Sequence, residues 1–296
     1  MANSRRKKSG YHATPESLGF AEQVARAMGG PMGFDSEATR ELVETLHNDY
    51  FGAVLKSTEE NIAGICFEAG SSRRIQAFAD ANDIFFDEQL DMWLESCTHL
   101  TAIAACKTLE ADEYLSLIEM LLKILDQPKD AYLHEAHREE FRPFILNHVD
   151  CMELSHAYSR AMTVFVMCHE LAHIQLGHTA SRPTLEHEYE ADYKATEYFI
   201  RIVAKGEEAG MIFVHPKLVS APLLMLRFFD LFERRLFHRH GLRLKHESHP
   251  PIARRISALE NRLSSSLSEE ALYVWDGFTK AIEDITRLAP LPPVLS

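Results

Sequence analysis

The sequence has 296 residues, 46% of them hydrophobic, enough to bury one sizeable core or two small ones. Its formal net charge of -13 repels nucleic-acid phosphates and anionic membrane surfaces, so neither is an expected partner. The one conspicuous basic run, Arg5 to Lys8, is followed by the polar stretch Ser9 to Ser17 instead of an apolar segment, and it does not read as a secretory signal.

Apolar stretches such as Ala161 to Cys168 and Leu223 to Leu231 are too short or too close to charges to cross a bilayer of about 30 Å, so a cytoplasmic protein without membrane spans is expected. The five cysteines, Cys66, Cys97, Cys106, Cys151 and Cys168, show no C-x-x-C spacing and read as buried, reduced thiols.

In chain order, residues 1–33 carry Gly, Pro and charge without sustained periodicity and predict a mobile arm. Asp35 or Ser36 can cap a helix with Leu42, Val43, Leu46, Tyr50 and Phe51 on one face. Ile84-Phe85-Phe86-Asp87, after Asn82-Asp83, is the clearest strand, and Leu90, Trp93, Leu94 and Leu100 follow it at helical spacing. Further helices are predicted at about 109–126, 153–176, 186–204, 218–237, 250–263 and 268–288. The Pro-rich segment 289–296 cannot continue a helix. The fold class expected is α+β, mainly helical, with a small sheet beside the helices. A single domain over 34–288 would divide into a helical part with the strand, 34–150, and a part carrying the chemistry, 151–288.

That chemistry lies in His169-Glu170-Leu171-Ala172-His173, an H-E-x-x-H pattern inside the apolar helical run 161–176. Four residues turn a helix by about 400°, so the two imidazoles stack on one face, one turn apart, and can share a metal ion. Glu170 lies roughly 100° round from His169, where a carboxylate can take a proton from water without entering the ligand set.

A catalytic zinc needs another protein donor, and Glu186-His187-Glu188-Tyr189-Glu190-Ala191-Asp192 offers several just downstream. Glu188 is the choice because it shares a face with Asp192, so that one can ligate while the other accepts a hydrogen bond from a ligating imidazole. Glu190 stands four before Lys194, the spacing of an exposed helical ion pair, and Glu186 complements the dipole of the first turn. The alternative for the whole segment is a solvated acidic face. His178 is rotated about 140° from the ligand face and, beside Gly177, reads as a helix-end residue. Thr179 stands where a metzincin has its third histidine. The pair His134 and His137 has the wrong spacing for this motif, and His238 and His240 lie two apart on an Arg-rich stretch.

The string His169-Glu170-Leu171-Ala172-His173 with His178, then Glu188-x-x-Ala191-Asp192, then Ser248-His249-Pro250-Pro251 with Arg255-Ile256, resembles the three-part signature of gluzincin peptidases. The order and the short gap between His173 and Glu188 look most like the Lit-type phage-exclusion peptidases, soluble bacterial proteins of similar length. Relatives of the prenyl-protease and HtpX type share the elements but carry transmembrane helices.

The resemblance implies a zincin-like core, with the H-E-x-x-H helix beside a second ligand-bearing helix, one zinc ion on His169, His173 and Glu188, and a protein or peptide substrate. Glu170 would be the general base, and Asp192 would orient His169. Ile84 to Phe86 would be the edge strand along which substrate lies, an interior strand being the other reading. Pro250-Pro251 reads as the start of a helix that Ser248 or His249 would cap. His249 would steady the oxyanion from the rim of the cleft, the other readings being a ring that only caps or packs there, or a plain loop, and Arg255 would pair with an acidic group behind the metal. The function expected is cleavage of a peptide bond in an intracellular protein, in the setting of phage defence. A metal-binding sensor acting by association with a partner is the alternative.

Overall fold

The computed structural model describes Gly52, Val54 and residues 64–70, 76–126, 148, 151–180, 184–208, 216–240 and 250–289. Among these, the sheet strands are β1 (Cys66–Gly70), β2 (Ala77–Asp80) and β3 (Asp83–Asp87). The helices are α1 (Glu88–Cys106), α2 (Ala111–Asp126), α3 (Met152–Gln175), α4 (Leu185–Glu208), α5 (Ala221–His240), α6 (Ile252–Leu263) and α7 (Glu269–Leu288). Short 3-10 turns at His178–Ala180, Pro216–Ser220 and Ser264–Ser266 join some of them. No helix among the described residues is long and apolar enough to cross a membrane.

Two helices are enclosed over several turns: residues 92–103 of α1 and 161–172 of α3 are all buried, their polar side chains included. The hydroxyls of Ser96, Thr98 and Thr101 donate to the carbonyls four residues back, at 2.5, 2.5 and 2.7 Å, so α1 brings no unmet hydroxyl into the core. Helix α3 packs most extensively against α4 and α1, touches α5, and lies against β2 and β3. Helix α6 bridges α4 and α5. The buried apolar cluster draws on the sheet and all seven of these helices, from Val54 to Ala289.

The strand order is β1-β3-β2, with β1 parallel and β2 antiparallel to β3. The run Ile84 to Phe86 is a strand, but it is the central one and not an edge. Ile84 and Phe86 are buried on the helix side, while Phe85 stacks on Phe78 of β2 on the other face, ring centroids 4.8 Å apart. A strand this apolar gains most between two neighbours, and the poorer β-formers of Ala77-Phe78-Ala79-Asp80 take the margin.

The helices expected at 109–126, 153–176, 186–204, 218–237 and 268–288 are present with ends shifted by up to four residues. Helix α6 begins at Ile252 with Pro251 at its N-cap, so both prolines precede the helix where Ser248 or His249 was expected to cap it. The residue before a proline is disfavoured in helical conformation, which is a reason for the helix not to begin at Pro250. Cys97, Cys151 and Cys168 are buried thiols, whereas Cys106, in the last turn of α1, is exposed. The expected arm at 1–33, the helix capped near Asp35, His134 to His137 and the tail from 290 lie outside the described residues.

Candidate active site

His169 and His173 stand on successive turns of α3 with ring centroids 4.7 Å apart and planes at 82°, and their Nε2 atoms converge to 3.1 Å. Gly177, at φ 74°, adopts the left-handed conformation that ends such a helix cheaply, and its N–H donates to the carbonyl of Ile174 at 3.0 Å. The chain then turns through His178–Ala180 and re-enters as α4, whose first turn carries the buried Glu188 back to α3. Glu188 Oε2 lies 3.5 Å from His169 Nε2, and Oε1 lies 3.6 Å from His173 Nε2. Glu186 and Glu190 of the same turns are exposed.

His169, His173 and Glu188 could hold a metal ion. Tetrahedral bonds of about 2.0–2.1 Å place neighbouring donor atoms about 3.3 Å apart. The observed separations of 3.1, 3.5 and 3.6 Å match that spacing, and two imidazoles with a carboxylate form a donor set suited to zinc.

Behind His169, Nδ1 lies 3.0 Å from Asp192 Oδ1, somewhat off the straight line of an ideal hydrogen bond. Arg255 of α6 donates to both oxygens of the same carboxylate at 2.7 Å, and its Nη1 lies 3.6 Å from Glu188 Oε2. Burial alone would raise the Asp192 carboxyl, but the Arg255 guanidinium and the bond to His169 outweigh it and hold the group well below the ordinary carboxylate range.

Behind His173, Nδ1 lies 3.0 Å from His178 Nδ1, and His178 Nε2 lies 3.0 Å from Glu190 Oε2. The His178 ring is buried and stacks on His187, centroids 4.1 Å apart and planes within 7°. His178 is thus in contact with the site and not only a helix-end residue. Glu190 bonds to His178, and Lys194 lies 3.7 Å from Glu197 in place of the expected partner Glu190. An exposed helical ion pair is worth only a few tenths of a kcal/mol, and the turn after Gly177 brings a better partner to Glu190. Burial, reinforced by His169, lowers His173 to about 3, which keeps the ring neutral as a metal ligand must be.

Glu170 projects from α3 towards β2. Burial is the main reason its carboxyl is raised to about 7, with Glu188 adding to the effect, while the backbone N–H of Ala79 donates to it and pulls the other way. The Cys168 thiol beside this motif is fully buried and pushed up, the reverse of what a nucleophile needs. His249 lies outside the described residues, although Pro250, which follows it, is buried.

The sequence model of a family described as Peptidase U49 matches residues 85–276, about two thirds of the chain, including every side chain of the site just described. No curated protein and no solved structure matches the chain.

Proposed function

This chain belongs to the Peptidase U49 family, and from that premise we propose that it is a zinc-dependent endopeptidase of the gluzincin kind, with a zincin-like core. The observation that carries this reading is the convergence of His169, His173 and Glu188 beside a buried carboxyl poised near neutrality, Glu170. His169, His173 and Glu188 would hold the ion. When bound, zinc supplies Lewis acidity, acidifying a water molecule and polarising the scissile carbonyl.

The chain's own residues supply the rest. Glu170, whose carboxyl sits near 7, accepts the proton of the attacking water and passes it to the leaving amine. Asp192 orients His169, and Arg255 keeps Asp192 ionised so that it can accept the imidazole N–H. A sensor that merely binds metal has no use for a buried carboxyl beside the ligands.

Strand β2 is the substrate-side edge in this reading. The bond from Asp87 N–H to the Gln76 carbonyl, with Phe78 opposite Phe85, fixes which backbone groups face β3. Residues 76, 78 and 80 then bond to β3, and the N–H and C=O groups of Ala77 and Ala79 point to the open side. An extended peptide adding to that edge runs past Ala79, whose N–H already reaches the Glu170 carboxylate, and so past the base.

The likeness of its motif order to Lit-type peptidases supports phage defence as the setting and an intracellular protein as the target. The test is to incubate pure protein with a bacterial host lysate, with and without a chelator, and to identify new protein termini. Termini that arise only without chelator support the reading. Termini unaffected by removing the metal overturn zinc dependence.

A further inference from the structure

A line of hydrogen-bonding rings runs from the candidate metal ligand His173 to the protein surface. Its members come from three elements: His173 from α3, His178 from the 3-10 turn, and Glu190 from α4. We propose that His178 and Glu190 are positioning residues of the metal centre, which fix His173 in the one tautomer able to ligate and hold its ring in place. This inference rests on the zinc-centre reading above.

Proton accounting gives the chain a direction. His173 Nε2 faces His169 Nε2 at 3.1 Å and Glu188 at 3.6 Å, so as a ligand it carries no proton, and the neutral ring keeps its proton on Nδ1. That N–H has His178 Nδ1 as its acceptor at 3.0 Å. His178 Nδ1 accepts only when the ring of His178 carries its own proton on Nε2. Nε2 lies 3.0 Å from Glu190 Oε2, and an ionised carboxylate can only accept. Each donor therefore finds an acceptor in one arrangement, His173 to His178 to Glu190. The opposite tautomer of His173 would leave a lone pair of His178 facing a carboxylate and would place a proton on the ligating nitrogen.

The stacked ring of His187, 4.1 Å away and nearly parallel, restrains the plane of His178 and through it the plane of His173. The two imidazoles are thus held by separate arms. Asp192 and Arg255 hold His169 from α4 and α6, and His178 and Glu190 hold His173 from the turn after α3 and from the start of α4.

The experiment measures the affinity of metal-stripped protein for the zinc ion alone, by competition with a chelating dye at one neutral pH. Removing a partner behind a metal ligand costs about 10–100-fold in affinity. His178→Leu, which has no acceptor, should lose affinity in that range, and His178→Asn, whose amide oxygen can replace Nδ1 as acceptor, should recover most of it. Glu190→Ala should lose severalfold. Its carboxylate is 51% exposed, so the variant is expected to keep the fold and decides the matter if His178→Leu does not fold. Thermal unfolding of the stripped proteins separates a lost ligand orientation from a lost fold. Parental zinc affinity in folded Glu190→Ala and His178→Leu, or an Asn variant no better than Leu when both are folded, would overturn the proposal. Failure of the parent itself to bind zinc would overturn the metal-centre reading and this inference with it, an outcome distinguishable from the other two.

Discussion

Arg255 grips Asp192 through two parallel hydrogen bonds, Nε to Oδ2 and Nη2 to Oδ1, each 2.7 Å long, although 63 positions separate the two residues. Both are buried, and the pair joins α6 to α4 directly behind the candidate ligand His169. Breaking a buried pair by removing one partner costs about 3–5 kcal/mol, because the other charge is left without compensation. Arg255→Ala should therefore lower the melting temperature of metal-stripped protein by on the order of 10 °C. Arg255→Lys should rescue little of this, since an ammonium cannot span both carboxylate oxygens. Differential scanning calorimetry of the two variants checks it; a melting temperature for Arg255→Ala within a degree or two of the parent would show that the pair is not holding α6 in place.

Glu170→Gln should bind zinc as the parent does and lose proteolysis. The amide keeps the size and the contact with the strand but cannot accept a proton, and a positioned general base contributes roughly 10²- to 10⁴-fold to rate. Metal content and cleavage of a substrate identified from the lysate are measured side by side. Normal cleavage by the variant would remove Glu170 from the mechanism.

Glu188→Ala should lose most of its zinc affinity, while Glu186→Ala, on the exposed side of the same turn, should bind zinc like the parent. Titration of the stripped proteins decides between them. Equal affinities would mean that the third ligand lies elsewhere.

Ala79→Pro removes the N–H that reaches Glu170 while sparing the β2–β3 ladder, because residue 79 faces away from β3. That N–H favours the ionised carboxylate, so its loss raises the pKa of Glu170. The base must be ionised to act, so the acid limb of the kcat/KM profile should move to higher pH. A profile that moves to lower pH, or not at all, counts against Ala79 as the neighbour of the base.

Those features of the site that depend on local geometry were legible in the sequence. The spacing of His169 and His173 makes them neighbours on any helix, and the apolar run around them leaves little choice but a helix. The same step of four puts Glu188 and Asp192 on one face, and the structure has the histidines beside that face. Helix ends were readable to within a few residues because proline, glycine and capping serine act on their immediate neighbours, as Gly177 and Ser268 do here.

What depended on segments meeting from a distance was decided by the tertiary structure. Ile84 to Phe86 reads as a strand on its own residues, but whether it is central or marginal depends on β1 and β2. Both are short, and neither carries the β-branched alternation that would announce a strand. Glu190 looked like the partner of Lys194 because both lie on one helix, whereas its bond to His178 exists only because the turn after α3 folds against the start of α4. Arg255 carried no local sign of which acid it would meet; the packing of α6 on α4 chose Asp192. Periodicity along one segment fixes which side chains share a face, but the free energy that selects a partner for that face comes from burial shared with another segment, and a sequence read one window at a time does not contain it.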